Sequence, residues 1–182
     1  MHSSITTIVE TFRARGDGAY GAEAVNQRQH ALQSATLASA EGADEHLVAA
    51  ALLHDLGHLL SEDALPSSVD QNLDDAHEHR AFAWLKKHFG RAVADPVRLH
   101  VAAKRYLCTV EPGYADTLSP TSLKSFHDQG GTMSDEERDA FEAELFFEQA
   151  VAARRWDDRA KEPEQQTEPL EHFVPLLERV LL

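Results

Sequence analysis

The chain has 182 residues, 42% of them hydrophobic and 26% charged, with a formal net charge of −14 at pH 7. That is enough for one well-formed core and short for two, and the excess of acid argues against nucleic acid, where cationic contacts dominate affinity. Charges or histidines interrupt every apolar run well before bilayer length, so no membrane span is expected. Ser4 to Arg15 reads as a short amphipathic helix stopped by Gly16-Asp17-Gly18, which leaves a flexible loop from Gly16 to Gly21 carrying Tyr20. Asn26 to Ala40 has apolar residues at helical spacing and ends at Gly42. Asp44 caps the next helix, expected to run through His54 to about Leu60. Ser61 to Asn72 is a polar loop around Pro66, and Asp74 to Phe89 is a helix closed by Gly90. Pro96 opens another helix that reaches about Leu107. Glu111 to Ser119 contains Pro112 and Gly113 and reads as loop, and Pro120 to Asp128 as a short helix before Gly130-Gly131. Ser134-Asp135-Glu136-Glu137 is a capping box that starts a long helix to about Arg159. Lys161 to Pro169 reads as a disordered linker, and Leu170 to Leu182 as a packing helix. No stretch alternates long enough to be a strand. The expected fold is all-α, a single domain over residues 1–182.

The densest chemical signal lies in Ala50-Ala-Leu-Leu-His54-Asp55-Leu-Gly-His58. Burying an imidazole beside a carboxylate is costly unless something pairs with both. A metal ion is the simplest partner, since both groups are ligands for iron or zinc. Spacing supplies more inward groups: His54 and His58 are four apart, as are His100 and Lys104, and Arg154 and Asp157 are three apart. His30 lies among Leu32, Ala35 and Ala38 on an amphipathic helix and needs a partner there. Of the eleven histidines, His2, His46, His88, His127 and His172 sit in polar or terminal settings and read as solvated. The single cysteine, Cys108, cannot form an internal disulfide, and no basic start with an apolar stretch follows Met1. Both fit a cytoplasmic protein.

His30, His54-Asp55, His77, His100 and Asp157 together resemble the ligand set of the HD-domain mixed-valent diiron oxygenases. Tyr20-Gly-Ala-Glu23, His100-Val-Ala-Ala-Lys104, Gln129-Gly-Gly and Arg154-Arg-Trp-Asp157 extend the resemblance to their phosphonate-cleaving branch, across residues 20–157. It implies an HD-domain helical bundle, with the metal-site core at about 20–160 and a C-terminal packing helix at about 170–182. It also implies two iron ions, Fe(II)/Fe(III), with His30, His54 and Asp157 on one, His77 and His100 on the other, and Asp55 bridging. Ala76-His77-Glu78-His79 is polar, so a surface role for His77, or ligation by His79 instead, stays open. By the same resemblance Lys104, Ser122 and Arg154 bind the phosphonate and His58 lines its site; surface ion pairs and a helix cap are the plainer reading. Tyr20 and Glu23 would form a lid, against the alternative of an exposed tyrosine and a helix-start carboxylate. The implied partners are O2 and a small anionic phosphonate, 2-amino-1-hydroxyethylphosphonate or an N-methylated analogue. Cleaving its C–P bond would give phosphate and glycine or a betaine-like acid. HD-domain membership alone would point to a metal-dependent phosphohydrolase, and a non-catalytic ligand-binding module is the third alternative.

Overall fold

In the computed structural model the described residues are 2–60 and 77–182, with side chains from residue 81 onward in the second stretch. The loop expected from Ser61 to Asn72, the helix start at Asp74 and the side chains of His77 and His79 therefore lie outside the described residues. Among the described residues the structure is helical, without a strand, as the patterning implies. The helices are α1 (Ser3–Arg15), α2 (Gln27–Ala40), α3 (Glu45–Leu53), α4 (Leu56–Leu59), α5 (His77–Phe89) and α6 (Arg91–Val110). After a 3-10 turn at Tyr114–Thr117 come α7 (Pro120–Asp128), α8 (Asp135–Glu142), α9 (Phe147–Arg159) and α10 (Leu170–Arg179). None of them is long and apolar enough to cross a membrane.

Side chains that satisfy orphan backbone N–H groups fix several starts. Asn26 and Gln29 form a reciprocal capping box on α2, Ser134 and Glu137 do the same on α8, and Asp44 and Ser119 cap α3 and α7. The central helix α6 packs against α5 and α9, and α2 lies across α3 and α9. Ile5, Ile8 and Phe12 of α1 join Leu52, Leu53, Leu56, Leu85, Phe89 and Leu177 in the main core. Leu99, Ala103, Phe141 and Ala150 form a smaller cluster where α6, α8 and α9 meet.

Four boundaries differ from the sequence expectations. The helix expected from Asp44 to Leu60 breaks at His54 and Asp55, whose φ/ψ of −101°/12° takes Asp55 out of the helical ladder before α4 begins. Pro96 does not open α6 but sits inside it: Gly90, at φ 76°, makes the turn from α5 within one residue, and α6 is already under way at Arg91. At this sixth position the helix forgoes the bond that an N–H at residue 96 would give to the carbonyl four residues back. The long helix expected from Ser134 to Arg159 divides at residues 143–146, where Ala143 and Glu144 bond back to close α8. The stretch after Lys161 is pinned rather than loose, because Gln33 bonds both the Glu162 carbonyl (2.7 Å) and the Glu162 amide (3.0 Å).

Candidate functional site

The break at His54-Asp55 is what builds the centre. An unbroken helix would send adjacent side chains 100° apart, whereas here both face His30 from α2 and His100 from α6. His30, His54 and Asp55 are buried and converge closely enough to share one ion. His30 Nε2 lies 3.0 Å from His54 Nε2 and 3.3 Å from Asp157 Oδ1. Asp55 divides its oxygens: Oδ2 is 3.3 Å from His54 Nε2 and 3.7 Å from His30 Nε2, while Oδ1 is 3.7 Å from His100 Nε2. His58 Nε2 is 4.0 Å from the same Oδ1, although its side chain remains 31% exposed. His54 and His58 thus belong to two helices and meet at one carboxylate rather than on a shared face.

Each of the three buried imidazoles is oriented by its far nitrogen. Nδ1 of His30, His54 and His100 bonds the carbonyls of Ala160 (2.8 Å), Ala51 (2.8 Å) and Val97 (2.7 Å). With Nδ1–H donating outward, each Nε2 lone pair turns to the centre, the tautomer that metal-binding histidines use. Asp157 Oδ1 is buried there with no hydrogen-bond partner, a loss that a cation would repair. Without a metal, burial opposes charge on His54, but Asp55 and then Asp157 outweigh it and push its pKa up to about 9. Burial also opposes charge on Asp157, yet the Arg154 guanidinium beside it holds its carboxyl well below the usual range. Imidazoles and carboxylates stabilised in this way fit a cation of intermediate softness, iron among them.

A cavity of about 290 Å³ opens onto this centre and is lined by Asp55, His100 and Asp157 on one side and by Lys104, Ser122 and Arg154 on the other. Lys104 is only 2% exposed, which excludes a surface ion pair, and its Nζ donates to Ser125 Oγ at 2.6 Å. Burial and then the nearby Arg154 pull its pKa down to about 8. Arg154 is also buried, held between Asp157 (2.7 Å) and Asp158, and Tyr114 donates to Asp158 from behind at 2.9 Å. Ser122 sits on α7, capped by Ser119. Tyr20 is not an exposed loop residue: its ring stacks on His30 at 3.9 Å, and its phenol reaches Asp55. Burial and the two aspartates raise its pKa well above that of a free tyrosine. Glu23 lines the same cavity and accepts from Ser119. The loop leading into Tyr20 is tied to α2 by Gln27 N–H to the Gly18 carbonyl (3.0 Å) and Arg28 N–H to the Gly16 carbonyl (2.8 Å). Gly16 permits this approach, since a Cβ there would lie 2.9 Å from Arg28 Cβ.

Of the expected site residues, the structure brings together His30, His54, Asp55, His100, Asp157, Lys104, Ser122, Arg154, His58, Tyr20 and Glu23; the side chain of His77 lies outside the described residues. Sequence reading missed Asp158, Ser125 and Lys161. Asp158 and Ser125 had a signal, being four residues from Arg154 and three from Ser122. Lys161 had none, since it stands at the head of a polar stretch. His2, His46, His127 and His172 are exposed as expected, while His88 is half-buried against Trp84.

No family model matches the chain. It is 39% identical over 170 residues to the glycine-betaine-forming 1-hydroxy-2-(trimethylamino)ethylphosphonate dioxygenase of Leisingera caerulea, covering 93% of this chain and 86% of that protein. It is 42% identical over 157 residues to the hydroxymethylphosphonate dioxygenase of Gimesia maris, covering 86% and 78%. An uncharacterized protein of Acanthamoeba polyphaga mimivirus is 32% identical over 177 residues, covering 96% and 80%.

Proposed function

This chain belongs to the HD-domain phosphonate dioxygenases, and we propose that it uses O2 to break the carbon–phosphorus bond of a 1-hydroxyphosphonate. The observation that carries this reading is a single cavity with inward carboxylates and imidazoles on one wall and Lys104, Ser122 and Arg154 on the other. We assign His30, His54 and Asp157 to one iron and His77 and His100 to a second. Asp55 is the proposed bridge, supported by the division of its oxygens between the His30/His54 side and the His100 side. Two iron ions, Fe(II)/Fe(III), held there would supply the activation of O2 needed to oxidise the carbon bearing the hydroxyl and the phosphorus.

The chain's own groups do the rest. Lys104 supplies a compact charge and Arg154 a planar one to the phosphonate, and Ser122 adds a hydroxyl. Burial strengthens all three contacts, because little water competes for the anion. Tyr20 lies over His30 and against Asp55, where an incoming substrate must displace it, so with Glu23 it acts as the gate. Glu23 presents a carboxylate for a cationic nitrogen, which favours 2-amino-1-hydroxyethylphosphonate or an N-methylated analogue over an uncharged one. One O2 per substrate balances the reaction: one oxygen atom completes phosphate and the other the carboxylate, as glycine or a betaine.

The test is phosphate release from the iron-loaded protein with hydroxymethyl-, 2-amino-1-hydroxyethyl- and 1-hydroxy-2-(trimethylamino)ethylphosphonate, with and without O2. Release that requires O2 from at least one, matched by equal O2 uptake, is expected. Silence with all three, or hydrolysis of phosphate esters without O2, would overturn the reading.

Metal binding should depend on pH with a defined sign. The proton that His54 holds below about 9 must leave before Nε2 can bind a metal, so apparent affinity should climb as pH rises toward that value. Calorimetric Fe(II) titrations at pH 6.5 and 8.5, in buffers of different ionisation enthalpy, should show tighter binding at the higher pH and fewer protons released there.

A further inference from the structure

The side chain of Lys161, just beyond the end of α9, is only 10% exposed. Its Nζ donates to Ser122 Oγ at 2.7 Å and lies 3.5 Å from Ser119 Oγ. Glu23 and Asp158 each approach it at 3.8 Å, which offsets the charge and fixes the ammonium in place. An ammonium can only donate, so Ser122 Oγ must accept from it and send its own proton elsewhere. Ser125 Oγ spends its own proton on the Ser122 carbonyl at 3.0 Å and accepts from Lys104, and among the described residues Ser122 Oγ makes no hydrogen bond besides the one from Lys161. Ser122 lines the cavity beside Lys104 and Arg154, so the free direction of its O–H is into the cavity.

We propose that Lys161 is a positioning residue of the phosphonate subsite: by donating to Ser122 Oγ it turns the Ser122 hydroxyl proton toward a phosphonate oxygen. The inference rests on the phosphonate reading above. It makes the subsite two layers deep, with Lys104, Ser122 and Arg154 touching the anion and Lys161 setting the direction of the one hydroxyl among them. Lysine at 161 is then required as a donor more than as a charge, because Glu23 and Asp158 already neutralise it.

The experiment is calorimetric binding of hydroxymethylphosphonate and of inorganic phosphate to the iron-loaded wild type and to K161M, K161Q, S122A and K161M/S122A, with thermal melting and iron content alongside. K161M should bind both anions roughly tenfold more weakly, the size of one lost hydrogen bond to a charged group. K161Q keeps a donor amide and should recover most of that loss. The double variant should be no weaker than S122A alone. Equal losses in K161M and K161Q would make the effect one of charge and overturn the proposal, as would losses that multiply in the double variant. A K161M protein that melts early leaves K161Q against S122A to decide: K161Q as weak as S122A overturns it. If the wild type binds neither anion, the phosphonate reading itself falls; if it binds both and K161M matches it, only the role of Lys161 falls.

Discussion

D55A should lose at least about a thousandfold in O2-dependent phosphate release, and its iron content should fall from two per chain to one or fewer. Outer partners of metal ligands typically cost roughly 10–100-fold when removed, and Asp55 faces both halves of the centre directly. Its Oδ2 is 3.3 Å from His54 Nε2 and its Oδ1 is 3.7 Å from His100 Nε2. If two iron ions are held as proposed, removing it would leave the two halves without a shared negative charge, and the cations would repel each other more strongly. D55N separates shape from charge: it fills the same space, keeps one carbonyl oxygen and should retain at most one metal. The metal-free variants give a second readout, because Asp55 is the chief group raising the His54 pKa against burial. In D55N that imidazole should titrate below about 9, which NMR of the ring protons can follow. A D55A protein that keeps two irons per chain would remove the bridge from the account.

How the sequence announced this site follows from what local patterning can encode. His30 was legible from its apolar neighbours, and His100, Lys104 and Arg154 from their helical spacing to one another and to Asp157 together with the family resemblance; all four are buried. The caps at Asn26, Asp44 and Ser134 were legible because capping is local chemistry. The break at His54-Asp55 was not, since apolar residues continue at helical spacing through Leu56 and Leu59 and no proline marks it. It is a tertiary choice: convergence with His30 and His100 outweighs the backbone bonds forgone. The break at residues 143–146 has the same character, because Ala143, Glu144 and Leu145 are good helix formers. Lys161 lay beyond reach for a different reason. Lys-Glu-Pro-Glu is a solvated composition, and it is the docking of Glu162 on Gln33 of α2 that holds the stretch where Lys161 meets Ser122 of α7.

R154M should be damaged twice, in stability and in substrate binding, and the two losses can be read apart. Arg154 is buried between two buried carboxylates, bonding Asp157 at 2.7 Å and Asp158 through a second pair of contacts. Burial opposes its charge, but Asp157 and Asp158 outweigh that and raise its pKa, so it carries its proton at any working pH. Cutting the guanidinium away takes from Asp157 and Asp158 the charge they share, and breaking such a buried pair typically costs about 3–5 kcal/mol. Urea unfolding of the metal-free variant should show that loss, and D158N placed on R154M should restore part of it by removing one of the two negative charges. The anion should feel a separate effect. A planar donor gone from a cavity that excludes water should raise KM at least about a hundredfold, by the size of a buried charge-assisted contact. R154K keeps the charge without the fork: it should recover stability with either carboxylate but leave KM high, because one ammonium cannot hold Asp157, Asp158 and a phosphonate together. Asp157 gives the third consequence. Arg154 holds its carboxyl well below the usual range, so R154M lets that pKa rise and lets protons compete with the metal as pH falls. Iron retention in R154M should therefore drop at mildly acidic pH where the wild type keeps its metal. Equal retention in both, with KM within about threefold of wild type, would reduce Arg154 to a structural clamp on α9 and leave Lys104 to hold the anion with Ser122.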